Sequence, residues 1–210
     1  MRSRCLSRYA LAMAAGFLLT TGTTPAGAAT AKPVLPAGSV AFSSDSALTH
    51  LVQWYAVRLT TADKVAAAKW GTAQPIDDPV REQQVLKSVA AKAKALGIHQ
   101  DVARRIFVDQ IEANKVVQRG IYRDWARHPS RIPRRRPDLA KDVRPELDRV
   151  DAALLRAVRA AQPQLAATRC ATRTARAAGG VAESRNLDAL HRQGLERALA
   201  HTCSPSDGHR

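Results

Sequence analysis

The chain has 210 residues, which is the size of one domain or of one domain with a short tail. Its formal net charge is +15, from 33 Lys and Arg residues against 18 Asp and Glu residues. This excess favours an anionic partner (nucleic acid, anionic lipid or a small polyanionic substrate), and charge alone does not choose among them. The few cysteines have no spaced histidine partners, which excludes the usual structural zinc sites.

The first residues have the features of a secretory signal peptide. Three arginines precede an apolar run from Tyr9 to Leu19, and Ala26-Gly27-Ala28 provides small residues for cleavage. The run is too short for a convincing membrane span, and no later segment resembles one. We expect a signal peptide over 1–28, cleavage near Ala28, and a protein that is periplasmic or secreted.

The mature chain would begin with a flexible lead-in over 29–43, followed by a folded domain over 44–203 and a tail over 204–210. It would keep two cysteines, Cys170 and Cys203, because Cys5 is removed with the signal peptide. Since an exported protein meets oxidising conditions, we predict that these two form a disulfide that closes a C-terminal loop.

The first long helix is predicted over 47–70, after a serine and aspartate cluster that can cap its start. Steps of three and four residues along it give a stripe that would be buried: Leu51, Tyr55, Arg58, Ala62, Val65 and Lys69. Arg58 and Lys69 carry positive charge, and a buried cation needs an anionic or strongly polar partner. Each alone fits a side chain that snorkels at the edge of the core. Because they lie three turns apart on one face, together they indicate an anion-binding site.

A second helix is predicted from Asp78-Pro79 to Gly97, and a third over 100–125. The buried stripe of the third helix comprises Phe107, Ile111, Asn114, Gln118, Ile121 and Trp125. Its two amides must find hydrogen bonds, either across a helix interface or from a ligand. Asp78, Arg81 and Glu82 share the first turn of the second helix, where a helix cap and two solvated charges are the plainer interpretation.

Three shorter helices complete the prediction. A fourth helix is predicted from Asp138 or Pro145 to about Ala161, a fifth from Pro163 to Gly179-Gly180, and a sixth over 182–202. No segment is a strong candidate for a strand. We therefore predict an all-α bundle of about six helices, in which the three long N-terminal helices form the site and the disulfide ties the C-terminal helices together.

The polar residues form a set without the usual catalytic partners. Arg144 lies at the beginning of the fourth helix, where a cation is unfavourable unless an anion shares the site. No nucleophile and base pair, phosphate-binding glycine loop or metal motif accompanies the set, so we predict no cofactor and no metal. Cations and amides inside a bundle can bind a dicarboxylate and stabilise charge that develops on an oxygen.

On these residues the sequence resembles the all-helical (AroQ-type) chorismate mutases, and specifically their exported, gamma subclass. The resemblance rests on the spacing of Arg58, Lys69 and Asp78 and on the strings DPVREQQVL (78–86) and QIEANKVVQ (110–118). It covers about 45–125 strongly, and 144–148 and the cysteine pair more weakly. It implies the Claisen rearrangement of chorismate to prephenate by a protein that is usually dimeric.

The resemblance also implies roles for the polar residues. Arg58 would bind one substrate carboxylate, and Lys69 and Gln118 would donate hydrogen bonds to the ether oxygen. Glu82, with Arg81 and Asp78 nearby, would hold the ring hydroxyl beside Asn114. The predicted catalytic residues are Arg58, Lys69, Arg81 and Gln118, and the predicted substrate-binding set adds Asp78, Glu82, Asn114 and Arg144.

One departure from the family pattern concerns the second carboxylate anchor. Cytoplasmic members take an arginine from the start of helix one of the partner subunit, whereas this chain has Ala41 in that region and no arginine between Arg8 and Arg58. The exported subclass uses an arginine from the C-terminal half of the same chain. Arg144 is the candidate and Arg149 the alternative, so each chain would build its own site.

The competing hypothesis is a secreted cationic helical protein that binds nucleic acid or anionic lipid through the basic segment 127–136. That segment has no interleaved aromatic residues for base stacking, which favours a solvated loop. We therefore expect a homodimer with a small-molecule substrate, chorismate, and neither a nucleic-acid partner nor membrane attachment after signal cleavage.

Overall fold

The structure, a computed structural model, describes residues 44–203. The predicted signal peptide and lead-in (1–43) and the tail (204–210) lie outside the described residues. Six α-helices follow one another: α1 (Ser44–Lys69), α2 (Pro79–Ala95), α3 (Gln100–Arg127), α4 (Arg144–Leu165), α5 (Cys170–Ser184) and α6 (Ala189–Ala198). A 3-10 turn (Pro129–Arg131) and a π-helical turn (Leu139–Val143) lie between α3 and α4. The all-α class is confirmed, and no strand occurs in this range.

The helix ends follow local chemistry in the first half of the chain. Asp78 caps α2, since its Oδ1 accepts a hydrogen bond from Arg81 N at 3.0 Å, and Pro79 occupies the first helical position. After α2 the chain turns at Gly97, whose φ of 66° is in the left-handed region that glycine adopts without strain. These signals place α2 directly beside α3.

Helix α1 lies at the centre of the bundle, where it packs against α3, α4, α5 and α6. The apolar members of its predicted stripe are buried, with Leu51, Tyr55 and Ala62 fully inaccessible to solvent. Burial of one large apolar side chain contributes roughly 1.5–3 kcal/mol, so this stripe is a main source of stability. The same packing determines where the two charged members of the stripe point.

The boundaries of the last three helices differ from the prediction. Pro163 does not open a fifth helix but lies inside the last turns of α4. A proline there removes a hydrogen bond to the carbonyl of Arg159, a residue on the exposed face, where water can take its place. Helix α5 likewise continues through Gly179-Gly180 to Ser184, and the left-handed residue that follows it is Asn186, with φ 50°. Helix α6 therefore begins at Ala189, with Asp188 as its cap.

The predicted disulfide is confirmed. Cys170 is the first residue of α5, Cys203 follows α6, and their Cα atoms are 5.8 Å apart. Thr202, next to Cys203, donates a hydrogen bond to the hydroxyl of Tyr55 at 3.0 Å. This hydrogen bond holds the end of the described chain against the middle of α1. No helix within 44–203 combines the length and the apolar character needed to cross a membrane.

Candidate active site

A cavity of about 120 Å³ opens between α1, α2, α3 and α4, beside the π-helical turn that precedes α4. This volume is far larger than one water molecule needs. All eight residues of the predicted substrate-binding set line it: Arg58, Lys69, Asp78, Arg81, Glu82, Asn114, Gln118 and Arg144. Arg149, the alternative anchor, is exposed and does not line the cavity.

Arg58 projects from α1 and is 5% exposed. Its Nε donates to Asp151 Oδ1 of α4 at 2.8 Å, and its Nη1 donates to the backbone oxygen of Gln110 in α3 at 2.9 Å. The guanidinium also lies 5.7 Å from the ring centroid of Phe107. Because these contacts come from two neighbouring helices, they fix the guanidinium plane at the cavity wall.

Lys69 is the last residue of α1 and is half-buried. Its Nζ donates to the backbone oxygen of Pro75 at 2.8 Å, in the loop between α1 and α2. Burial lowers the pKa of Lys69, and the charge of Arg144 acts in the same direction, while Asp78 and Glu82 oppose it. Lys69 is therefore a hydrogen-bond donor that loses its proton at a lower pH than an exposed lysine does.

The first turn of α2 brings a carboxylate and a guanidinium to the cavity wall. Glu82 Oε1 accepts from Asp78 N at 3.3 Å, so the cap residue and Glu82 share this turn. Arg81 makes a 3.4 Å hydrogen bond to Gln84 Oε1. The helix cap explains the position of Asp78, whereas Arg81 and Glu82 both line the cavity.

The two amides of α3 form a pair along one helix face. Gln118 Nε2 donates to Asn114 Oδ1 at 2.7 Å, and Asn114 Nδ2 lies 3.5 Å from Thr61 Oγ1 on α1. Gln118 Oε1 is buried and has no hydrogen-bond partner among the described residues. A buried unpaired amide oxygen costs about 1–3 kcal/mol, so the pair does more than fix the register of two helices. It presents polar atoms to the cavity.

Arg144 is the first residue of α4 and lines the cavity. The π-helical turn before it is capped by Asp138, whose Oδ1 accepts from Ala140 N and Lys141 N at 2.7 and 2.8 Å. These backbone bonds lower the pKa of Asp138. The turn thereby sets the direction in which α4 begins and holds Arg144 at the cavity.

The cavity wall has a small net positive charge, and three of its cations make no salt bridge among the described residues. The wall carries five cations and four carboxylates. Arg58 is paired with Asp151, and Lys115 with Glu82. Among the described residues, Lys69, Arg81 and Arg144 make no salt bridge to a carboxylate. A doubly negative guest would therefore meet cations that are not already neutralised.

Sequence reasoning missed three charged residues of the wall: Lys115, Asp148 and Asp151. Asp151 falls on the apolar face of the fourth helix between Leu147 and Leu154, so the signal that singled out Arg58 could have found it. Lys115 is beside Asn114 and lies off the apolar stripe of α3. Asp148 is exposed, and no pattern distinguishes it from ordinary surface charges.

Comparison with known proteins shows the family to which this chain is similar. The family described as chorismate mutase type II matches residues 45–119. The secreted chorismate mutase of Mycobacterium tuberculosis is 34% identical over 158 residues, which cover 75% of this chain and 79% of that protein. Its counterpart in Mycolicibacterium smegmatis is 34% identical over 75% of this chain and 87% of its own length.

A solved structure is similar along almost its whole length. The crystal structure of chorismate mutase from Burkholderia phymatum has a TM-score of 0.71 and 40% identity, covering 76% of this chain and 98% of that chain. This chain belongs to the chorismate mutase family.

Membership of the chorismate mutases confirms the resemblance, and it confirms the predicted enzyme class, an isomerase. The similarity to the two mycobacterial proteins extends beyond the residues matched by the family, and so takes in most of the folded chain. Within 44–203, no group of three or more His, Cys, Asp or Glu side chains is placed to hold a metal ion.

Proposed function

We propose that this chorismate mutase converts chorismate to prephenate in the cavity between α1 and α4, and that one chain provides the whole site. The observation that carries the proposal is the convergence of all eight predicted residues on a single cavity of one chain. The substrate carries two carboxylates, and Arg58 and Arg144 line the cavity from two different helices.

The proposed mechanism begins with the selection of a substrate shape. Arg58, fixed by Asp151, binds one carboxylate, and Arg144 binds the other. Two anchors held by different helices favour the folded, chair-like substrate over the extended one. The chain therefore lowers the entropic cost of reaching the transition state without forming a covalent bond.

The second step of the proposal concerns charge on the ether oxygen. As the C–O bond breaks, negative charge grows on this oxygen, and Lys69 and Gln118 donate hydrogen bonds to it. A primary amide has two N–H groups, so Gln118 keeps one for the substrate while the other bonds to Asn114. Glu82 accepts a hydrogen bond from the ring hydroxyl, with Arg81 and Asp78 beside it.

A Lys69→Ala variant tests the proposal. Loss of one preorganised donor to a developing oxyanion typically lowers kcat by about 10²–10³. We expect that loss in an assay that follows the disappearance of chorismate by absorbance, with the circular dichroism spectrum unchanged. Lys94→Ala, on the exposed face of α2, is the matched control and should keep full activity. Retained turnover in Lys69→Ala would remove Lys69 from the chemistry.

We also propose that the chain is exported and forms a homodimer. The signal-like N-terminus and the secreted relatives support export. Mass spectrometry of protein recovered outside the cytoplasm should give an N-terminus close to Ala29. Intact residues 1–28 on that protein would contradict cleavage near Ala28. In the homodimer, each chain would carry a separate site.

A further inference from the structure

Lys115 is a buried cation of the cavity wall to which the family resemblance gives no role. It projects from α3 and is 8% exposed. Its Nζ lies 2.5 Å from Glu112 Oε1, 3.2 Å from Glu82 Oε1 and 3.3 Å from Asp77 Oδ1. Burial by itself would lower the pKa of Lys115, but hydrogen bonds to these three carboxylates outweigh it and leave the pKa raised. Lys115 is thus a permanent cation at neutral pH.

The contacts of Lys115 determine how the Glu82 carboxylate is held. Lys115 Nζ reaches both Glu82 oxygens, at 3.2 and 3.4 Å, while Glu82 Oε1 also accepts from Asp78 N at 3.3 Å. A carboxylate has about four lone-pair positions, so these bonds leave room for one more donor. Both Glu82 and Lys115 line the cavity, and the remaining acceptor capacity is available to a ligand there.

Removal of Lys115 would leave three carboxylates close together without their shared cation. Like charges at this separation repel one another, and a glutamate side chain that loses its partner regains rotamer freedom. The Glu82 side chain would then turn away from Asp77 and Glu112, and its carboxylate would leave the orientation that it has beside Lys115. The cation therefore does more than join α3 to α2.

We propose that Lys115 is a positioning residue, which acts through Glu82 by holding its carboxylate ready to accept the hydrogen bond of the substrate ring hydroxyl. This inference rests on the proposed function. It adds to the proposed site a residue on a different helix from Glu82, so the α2–α3 contact becomes part of hydroxyl recognition.

Arg119 offers a matched comparison from the same helix face. Its Nη2 donates to both oxygens of Asp77 at 2.7 Å, so it ties the loop between α1 and α2 to α3, as Lys115 does. It makes no hydrogen bond to Glu82. If Lys115 were only a tether, the loss of Arg119 would have a similar effect on catalysis.

The experiment measures kcat and KM for chorismate in Lys115→Met, Lys115→Arg and Arg119→Met, with and without Glu82→Gln. We expect Lys115→Met to lower kcat/KM at least about tenfold, as expected for the loss of a hydrogen bond between charged groups. Lys115→Arg keeps the cation and should recover part of that loss, and Arg119→Met should change kcat/KM by less than about threefold. In the Glu82→Gln background, Lys115→Met should cause no further loss, because two residues that act as one unit are not additive.

The outcomes separate this inference from the proposed function. Equal losses from Lys115→Met in both backgrounds, or an equal loss from Arg119→Met, would overturn the positioning role while turnover by the unsubstituted protein upholds the proposed function. Absence of turnover by the unsubstituted protein would overturn both. Thermal unfolding is followed for every variant, and if Lys115→Met does not fold, Lys115→Gln takes its place against Lys115→Arg.

Discussion

At the scale of single residues, charged and amide side chains that interrupt apolar stripes locate the cavity that is the candidate active site. Arg58, Asn114 and Gln118 each lie on the buried face of a helix and each line the cavity. That relation could be predicted because a polar group on such a face must find a partner. The place of Lys115 in the cavity wall could not be predicted in this way. Its environment depends on carboxylates from α2 and from the loop before it, and no periodicity within α3 reveals those contacts.

The identity of residue 118 predicts the pH profile. An amide donates a hydrogen bond at any pH, so kcat/KM should stay nearly flat from mildly acidic to mildly alkaline pH. Because burial lowers the pKa of Lys69, activity should fall on the alkaline side at a lower pH than an exposed lysine would give. Stopped or continuous assays across pH 5–10 measure this profile directly.

The matched variants are Gln118→Glu and the exposed Gln83→Glu. A glutamate at position 118 must be protonated to donate, so kcat/KM of the first variant should decline as the pH rises through neutrality. The second should keep the flat profile. A steep fall between pH 5 and 8 in the unsubstituted protein would contradict the role given to Gln118.

At the scale of helices, the end signals of α2 and α3 agree with the structure to about two residues. Helix α1 begins three residues earlier than predicted, at Ser44, and the signals of α4, α5 and α6 were not sufficient. Pro163 and Gly179-Gly180 are breakers in isolation, yet tertiary packing carries a helix through each of them. The helices continue because apolar side chains just beyond these residues are buried: Leu165 and Val181 are both 2% exposed. The left-handed residue that follows the end of α5 is Asn186, and asparagine is a weaker helix-end signal than glycine.

Two helical glycines allow a direct test of packing. A β-carbon at Gly194 in α6 would lie 2.8 Å from Leu59 Cδ1 and from Val117 Cγ2, both in the core. Gly194→Ala should therefore lower the free energy of unfolding by about 1–3 kcal/mol. At Gly179 in α5, no other part of the described chain lies within 4 Å of such a β-carbon, so Gly179→Ala should raise that free energy by up to about 1 kcal/mol. Urea titrations measure both; a stabilising Gly194→Ala would show that α6 is not packed as described.

A histidine links α6 to α1 and should make stability depend on pH. His191 Nδ1 lies 2.8 Å from Asp188 Oδ1, and Nε2 lies 3.3 Å from Asp63 Oδ2. The Asp63 carboxylate beside Nε2 raises the pKa of His191 to about 9, with Asp188 adding to the effect against burial. A folded-state pKa above the unfolded value of about 6.5 stabilises the fold fully below pH 6.5, and the contribution is lost as the pH rises through 9.

The corresponding variant is His191→Gln. The difference in free energy of unfolding between it and the unsubstituted protein should be largest near pH 6 and should shrink towards pH 9.5. His99→Gln, at an exposed position, serves as the control and should give a difference that does not change with pH in this way. A difference for His191→Gln that grows with pH would exclude the charged form.

At the scale of the whole molecule, the net charge of +15 alone favoured several kinds of anionic partner. The proposed binding of a small dicarboxylate, in preference to a polymer, rests on cations that line a cavity and not on the basic segment 127–136. Four helices converge there because α1 packs against α3 and α4 while α2 packs against α3. Arg144 comes from the second half of the same chain, so no residue of a partner is needed to complete the set of eight.

Co-expression of two inactive variants tests that claim most directly. Lys69→Ala and Arg144→Ala each remove one part of the site, and a mixed dimer contains one chain of each kind. If every chain builds its own site, both sites of the mixed dimer stay incomplete, and we predict no chorismate turnover above that of the separate variants. If Arg144 instead served the partner's site, random pairing would restore about a quarter of the unsubstituted activity. Recovery of that size would contradict a site built from one chain.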